Sequence, residues 1–103
     1  MDAVAAERTW LAVAPDGTEH ELVLRVGIPT QAPGGEWWSA VSLGVLESRE
    51  QRVAGVDAWQ AVELAMRFIA SRVGHFAADG WQFYWERDGE PAAPSDLIGG
   101  GAP

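Results

Sequence analysis

The chain has 103 residues, no cysteine and a formal net charge of −8, from fifteen acidic residues against seven arginines. This length predicts a single domain, and the missing cysteine excludes disulfides, thiolate metal centres and cysteine nucleophiles. The excess of acid argues against nucleic acid and anionic membranes as partners, because both are bound mainly through Lys and Arg.

Nothing in the sequence indicates export or membrane insertion. The first six residues contain Asp2 and no basic residue, and they precede Glu7 and Arg8, so they lack the parts of a signal peptide. No apolar run approaches the length of a membrane span. We therefore expect a cytoplasmic protein, and the absence of lysine is typical of a high-GC bacterial genome.

Two strands are predicted at the start of the chain. Polar and apolar residues alternate over 7–14 and again over 19–28, and the turn Pro15-Asp16-Gly17-Thr18 joins the two segments as a hairpin. In the first strand we expect Leu11 and Val13 to face the core, which would point Trp10 outward. In the second, the side of Leu22 and Leu24 is the expected core side.

A third strand is predicted over 36–46, after a Pro- and Gly-rich loop at 29–35. Its expected core side carries Trp37, Val41 and Val45, and its other side carries Trp38. Residues 47–52 are polar and few, and are interpreted as a connection or a frayed strand end.

One amphipathic helix follows. Asp57 is the expected N-cap, with Gln60 as its capping-box partner, and Gly74 is the expected end. Apolar residues recur at helical spacing along one face, which we expect to be buried: Trp59, Val62, Met66, Ile69 and Val73.

A fourth strand is predicted from Trp81 to Glu86, with Trp81, Phe83 and Trp85 on one side and Tyr84 on the other. The fold class is therefore α+β: a small antiparallel sheet, in the order β-β-β-α-β, with one helix packed on one face. We expect an N-terminal extension at 1–6, the domain at 7–90, and a Pro/Gly-rich disordered tail at 91–103.

Catalytic and metal-binding patterns are weak. His20 and His75 are the only histidines, and we interpret them as a histidine at the rim of the sheet and one at the helix end. The acids show no metal-ligand spacing, so we predict no metal, no cofactor and no enzymatic activity.

The six tryptophans are the most unusual feature of the composition. Trp10 and Trp38 are expected on the uncovered side of the sheet, and an exposed aromatic patch there would mark an interface. The predicted interaction face consists of Trp10, Val23, Arg25, Trp38 and Tyr84. An alternative is a ligand pocket between helix and sheet, lined by Trp59, Trp81 and Trp85.

The segment from Gly55 to Ala65 resembles a family of short bacterial proteins classed as a domain of unknown function. In that family a Gly-x-Asp-x-x-Gln-Ala helix follows several strands, and Gly55, Asp57, Gln60 and Ala61 match this pattern. The resemblance covers about residues 8 to 87. It implies the fold and a bacterial source, but no activity.

These observations favour a non-catalytic interaction domain that uses the open sheet face to form a homodimer or to hold another protein. An immunity- or antitoxin-type role fits the size and acidity. The alternative is a small-molecule-binding domain that uses the tryptophan-lined pocket.

Overall fold

The computed structural model describes residues 1 and 3–99. It contains one sheet and one long helix, which confirms the predicted α+β class. The strands are β1 (Val4–Val13), β2 (Glu19–Gly27), β3 (Thr30–Gln31), β4 (Trp37–Ser42), β5 (Gln51–Gly55) and β6 (Gln82–Tyr84). The helix α1 spans Ala58–Ala78, and short 3₁₀ helices lie at Gly44–Leu46 and Pro94–Leu97.

All strand pairs are antiparallel. The pairs are β6 with β1, β1 with β2, β2 with β4, and β4 with both β3 and β5. β3 continues β2 beyond a break at 28–29, because Val26 pairs with Val41 and Thr30 pairs with Trp38 in nearly the same register. Pro29 lies at this break and has no N–H to donate to the sheet.

β5 was not predicted as a separate strand. Its five residues lie largely beyond the predicted connection at 47–52, and they pair with β4 from Trp37 to Val41. The segment is too short and polar for its alternation to stand out, and only its partner strand fixes it as part of the sheet.

The third predicted strand ends earlier than expected. β4 stops at Ser42, and the chain turns through Gly44, which has a φ of +56° and lies so close to β2 that a Cβ would sit 2.8 Å from the Val23 carbonyl oxygen. This turn buries Leu46 and exposes Val45, so the prediction that Val45 faces the core is wrong.

Asp57 caps α1 as predicted. Its Oδ1 accepts a hydrogen bond of 2.8 Å from the Gln60 N–H, while the Gln60 side-chain Oε1 accepts from the Val56 N–H at 2.8 Å. The helix passes Gly74 and ends at Ala78, so the predicted end was wrong. Gly80, at a φ of +107°, supplies the left-handed turn that ends it.

The Asp57→Ala variant is expected to lose about 1 kcal/mol of unfolding free energy, because the first turn of α1 loses its side-chain acceptor. Asp57→Asn keeps an acceptor oxygen and serves as the control. Urea unfolding followed by circular dichroism measures both, and equal losses in the two variants would contradict a capping role for this side chain.

The buried face of α1 combines alanines with larger apolar residues. Ala61, Ala65, Ile69 and Val73 are buried against the sheet. Trp59 is 82% exposed, so the prediction that it belongs to the core stripe is wrong. The alanines allow the helix to approach the sheet closely, and this contact rotates Trp59 away from the core.

Trp10 faces the opposite way from the prediction. It pairs with Leu22, and directly paired residues of antiparallel strands project to the same side of the sheet. That side is covered by α1, and Trp10 is 1% exposed. Successive side chains of a strand point to opposite sides of the sheet, so Leu11 and Val13 lie on the side away from α1. β1 thus buries Trp10, its largest side chain.

Several residues within 91–99, in the stretch predicted as a tail, contact the rest of the domain. Pro91 bridges Tyr84, the Ala92 N–H donates to the Phe83 carbonyl at 2.8 Å, and Leu97 packs against the core. The rest of the predicted tail, 100–103, lies outside the described residues. At the other end, β1 begins at Val4, inside the predicted N-terminal extension.

Candidate functional site

The side of the sheet opposite α1 is a broad open face. Strand registers place on it Thr9, Leu11 and Val13 of β1, Glu21, Val23 and Arg25 of β2, Trp38, Ala40 and Ser42 of β4, Arg52 of β5 and Tyr84 of β6. We call this surface the open face. The helix packs on the other side, where the buried residues of the sheet lie.

The open face has an apolar centre on β6, β1 and β2. Leu11 pairs with Tyr84, and Thr9 pairs with Val23 on the adjacent strand. The side chains of Leu11, Val23 and Tyr84 are half-buried by their neighbours in the sheet, whereas Thr9 is exposed. Apolar side chains grouped on an uncovered sheet face are typical of the centre of a protein interface.

A second group lies around Trp38. The Arg52 guanidinium carbon is 5.3 Å from the centroid of the Trp38 ring, which is the geometry of a cation–π contact. A cleft of about 470 Å³ adjoins this pair and is lined also by Ala40, Thr30 and Ile28. Thr30, which pairs with Trp38, follows Val23 by seven residues, so the two groups are about 20 Å apart.

Ion pairs lie between and beside these groups. Arg25 Nε donates to Glu7 Oε2 at 2.9 Å, and Arg87 Nη1 lies 2.7 Å from Glu19 Oε1. Every side chain in the two pairs is about half exposed or more, so each pair contributes little to stability. The charges instead give the apolar centre a polar rim.

The structure brings together four of the five residues predicted for the interaction face. Val23, Arg25, Trp38 and Tyr84 share the open face, with Trp38 in its own group. Trp10 does not belong to this face, because it is buried on the helix side.

The residues of the predicted ligand pocket are not brought together. Trp59 lies in the first turn of α1, and Trp81 follows its end, where it packs against Phe76 and His20. A helix of 21 residues separates them by about 30 Å. Trp85 contacts Trp10 instead, with ring centroids 5.6 Å apart.

The surroundings of both histidines are explained by a structural role. The His20 ring lies 5.8 Å from the Trp81 ring, and His75 is exposed in the last turn of α1. Over residues 1 and 3–99, no three His, Asp or Glu side chains are close enough to hold a metal ion.

Residues 1 and 3–99 include no helix long and apolar enough to cross a membrane.

Sequence reasoning gave no role to Arg8, which the structure places on the helix side of β1. Its guanidinium carbon lies 4.8 Å from the Trp85 ring centroid and 5.9 Å from that of Trp10. Arg8 and Trp10 are two residues apart, which puts both side chains on one side of the strand. This spacing was the feature of the sequence that could have linked Arg8 to Trp10.

A family model for a domain of unknown function, DUF6968, matches residues 6–93, which include the whole helix and every strand except the first two residues of β1. The chain belongs to the DUF6968 family. No curated protein and no solved structure matches it. The family match confirms the predicted membership of a domain-of-unknown-function family, while the bacterial source and the Gly-x-Asp-x-x-Gln-Ala motif remain predictions.

Proposed function

We propose that this DUF6968 protein is a non-catalytic interaction domain whose open face binds another protein. The observation that supports the proposal is a sheet that, over residues 1 and 3–99, has α1 on one side only and half-buried Leu11, Val23 and Tyr84 on the other. A second protein would remove this apolar centre from water, and the surrounding ion pairs would supply the polar rim of the interface.

The charge of the chain favours a partner with a basic surface. A net charge of −8 on each copy opposes self-association, whereas it attracts a positively charged protein and accelerates the encounter. One role of this kind is to neutralise a basic partner by binding it, as immunity proteins and antitoxins do. The cytoplasmic location stays a prediction.

A photo-crosslinking experiment tests where the partner binds. A photoreactive amino acid at Thr9, which is exposed beside Val23, is expected to capture a basic protein in cells of the source organism. The same group at Ser71, exposed on α1, is the matched control. Equal capture from both positions would contradict binding at the open face.

With the captured protein purified, Val23→Arg is expected to weaken binding at least tenfold, because it places a positive charge at the apolar centre of the interface. Val56→Arg makes the same change on a side chain that is exposed outside the open face. It should leave the affinity within about twofold of the wild type, as substitutions outside the contact surface do.

Light scattering over a concentration series separates this proposal from self-association. We expect a monomer at all concentrations. If the protein forms a dimer that Val23→Arg dissociates and Val56→Arg leaves intact, the open face binds a second copy of the chain. This result would overturn the argument from charge. A dimer that neither variant dissociates would place a self-interface away from the open face.

A further inference from the structure

One edge of the sheet is only partly covered. β1 has ten residues, but β6 pairs only with the last three, because the chain enters a turn after Tyr84 in which the Trp85 N–H donates to the Glu90 carbonyl at 2.9 Å. Over residues 1 and 3–99, no other backbone bonds to this side of β1 at 4–10, which we call the uncovered edge. An unpaired edge of this length is a template for a further strand.

The backbone groups that face the uncovered edge belong to alternate residues. In an antiparallel pair, a residue directs both its N–H and its C=O either toward the partner strand or away from it. The Ala14 N–H donates to the Thr18 carbonyl at 2.8 Å, so the even-numbered residues over 8–12 bond to β2. Glu7 and Thr9 therefore direct their N–H and C=O groups to the uncovered edge, where no residue among 1 and 3–99 bonds to them.

A small apolar cavity on the helix side of the sheet borders this edge. Its volume is about 100 Å³, far below the roughly 300 Å³ at which cavities for whole ligands begin, so it has room for a side chain rather than a separate molecule. Its lining comes from β1, β2, α1 and the second 3₁₀ helix: Ala6, Glu7, Arg8, Leu24, Val26, Met66, Ile69 and Leu97. A strand added at the uncovered edge would direct alternate side chains toward this cavity and toward the open face.

The two sides of the uncovered edge favour different side chains in an added strand. Directly paired residues project to the same side, so the residue opposite Ala6 would face the cavity and the residue opposite Glu7 the open face. The cavity suits an aliphatic side chain, and Arg8 on the same side disfavours a second cation there. On the open face, the Glu7 side chain is 52% exposed while bonded to Arg25, so its carboxylate can also accept from a basic side chain.

Charge argues against a second copy of the chain as the added strand. Two antiparallel β1 strands that pair over the whole of 4–10 would place Glu7 opposite Glu7 of the second copy. A shift of two residues places Arg8 opposite Arg8 of the second copy, or centres the pairing beside the irregularity between Val4 and Ala6. Like charges directly opposite each other destabilise a strand pair, and each copy has a net charge of −8.

We propose that the uncovered edge of β1 binds an extended segment of another protein in which apolar residues alternate with basic ones. The segment adds as an antiparallel strand, and its backbone bonds the N–H and C=O groups of Glu7 and Thr9. An apolar side chain enters the cavity beside Ala6, and a basic one meets the Glu7 carboxylate. The inference is independent of the proposed function, because it uses the edge of the sheet rather than the apolar centre of the open face.

The probe is a blocked seven-residue peptide in which lysine alternates with valine, titrated into the full chain by calorimetry. Saturable binding is expected at a ratio of one to one. In the bound strand the lysine N–H groups face β1 and the valine N–H groups face away. N-methylation of two lysines should therefore weaken binding at least tenfold, whereas N-methylation of two valines should leave the affinity within about threefold. The two methylated peptides have the same charge and the same number of atoms.

Variants of Thr9 place the binding at the uncovered edge. Thr9→Pro removes an edge N–H that β2 does not use, so the fold tolerates it, but the peptide should bind at least tenfold more weakly. Thr9→Val retains the N–H and should keep the affinity within about threefold of the wild type. In the free chain, the amide protons of Glu7 and Thr9 should exchange with solvent at least tenfold faster than that of Arg8, and saturating peptide should slow them.

Absence of saturable binding at millimolar peptide would overturn the proposal. Equal affinity for the two methylated peptides would overturn it as well, because charge alone would then attract lysine to this acidic chain. The same holds for unchanged affinity in a folded Thr9→Pro variant; if that variant does not fold, the methylated peptides and the exchange rates decide. A dimer that Thr9→Pro dissociates and Thr9→Val leaves intact, measured by light scattering, would make a second copy the occupant and overturn the argument from charge.

Discussion

Trp10→Ala is expected to lower the free energy of unfolding by about 3–5 kcal/mol, the range for removing a large aromatic side chain from a protein core. Trp10 is 1% exposed and contacts both Phe83 and Trp85 through its ring. A loss of this size is a large part of the 5–15 kcal/mol by which domains are typically stable. Urea unfolding monitored by far-ultraviolet circular dichroism measures it.

Trp59→Ala is the matched control, because Trp59 is 82% exposed. It removes the same atoms from the surface and should change stability by no more than about 0.5 kcal/mol. Trp10→Phe preserves part of the packing and allows a measurement if the alanine variant is unfolded. Similar losses for Trp10→Ala and Trp59→Ala would contradict the strand face assigned to Trp10.

Gly55→Ala is expected to cost about 1–3 kcal/mol, although it adds one carbon atom. A Cβ at this position would lie 2.4 Å from the Ala61 nitrogen and 2.8 Å from the Ala61 Cα. Both are backbone atoms of the first turns of α1, so no side-chain rotation relieves the overlap. The start of the helix would have to move away from β5, which is measurable by the same urea unfolding experiment.

Gly74→Ala should change stability in the opposite direction. Gly74 lies inside α1, and a Cβ there meets only Pro94 Cγ at 3.9 Å, an ordinary contact. Alanine is favoured over glycine within a helix by about 0.5–1 kcal/mol, so this variant should be more stable than the wild type. Equal stability of the Gly55→Ala and Gly74→Ala variants would show that α1 does not abut β5 at Ala61.

The Gly-x-Asp-x-x-Gln-Ala segment has a complete structural explanation. Gly55 permits the close approach of β5 to α1, Asp57 accepts from the Gln60 N–H, and Gln60 accepts from the Val56 N–H. Ala61 is fully buried at the contact with Gly55. These residues form the junction between sheet and helix, so the pattern by itself requires no ligand or reaction.

The sequence alone was sufficient for the features that arise from local interactions. The Pro15–Thr18 turn, the alternation in β2 and the Asp57 cap all depend on residues close together in the chain. For β2, Leu22, Leu24 and Val26 stand on one side, whereas the other side carries the charged Glu19, Glu21 and Arg25 besides Val23, so its buried side could be predicted. The α+β class follows from these elements.

The tertiary structure alone decided which residues form the candidate sites. In β1 both sides contain apolar residues, and only the pairing of Trp10 with Leu22 assigns Trp10 to the core and Leu11 to the open face. The rotation of α1, which exposes Trp59, is set by contact between Ala61 and Gly55. The position of the Arg8 guanidinium, 4.8 Å from the Trp85 ring centroid, depends on a residue 77 positions further along the chain. Each of these results depends on contacts between segments distant in sequence, which periodicity within one segment cannot specify.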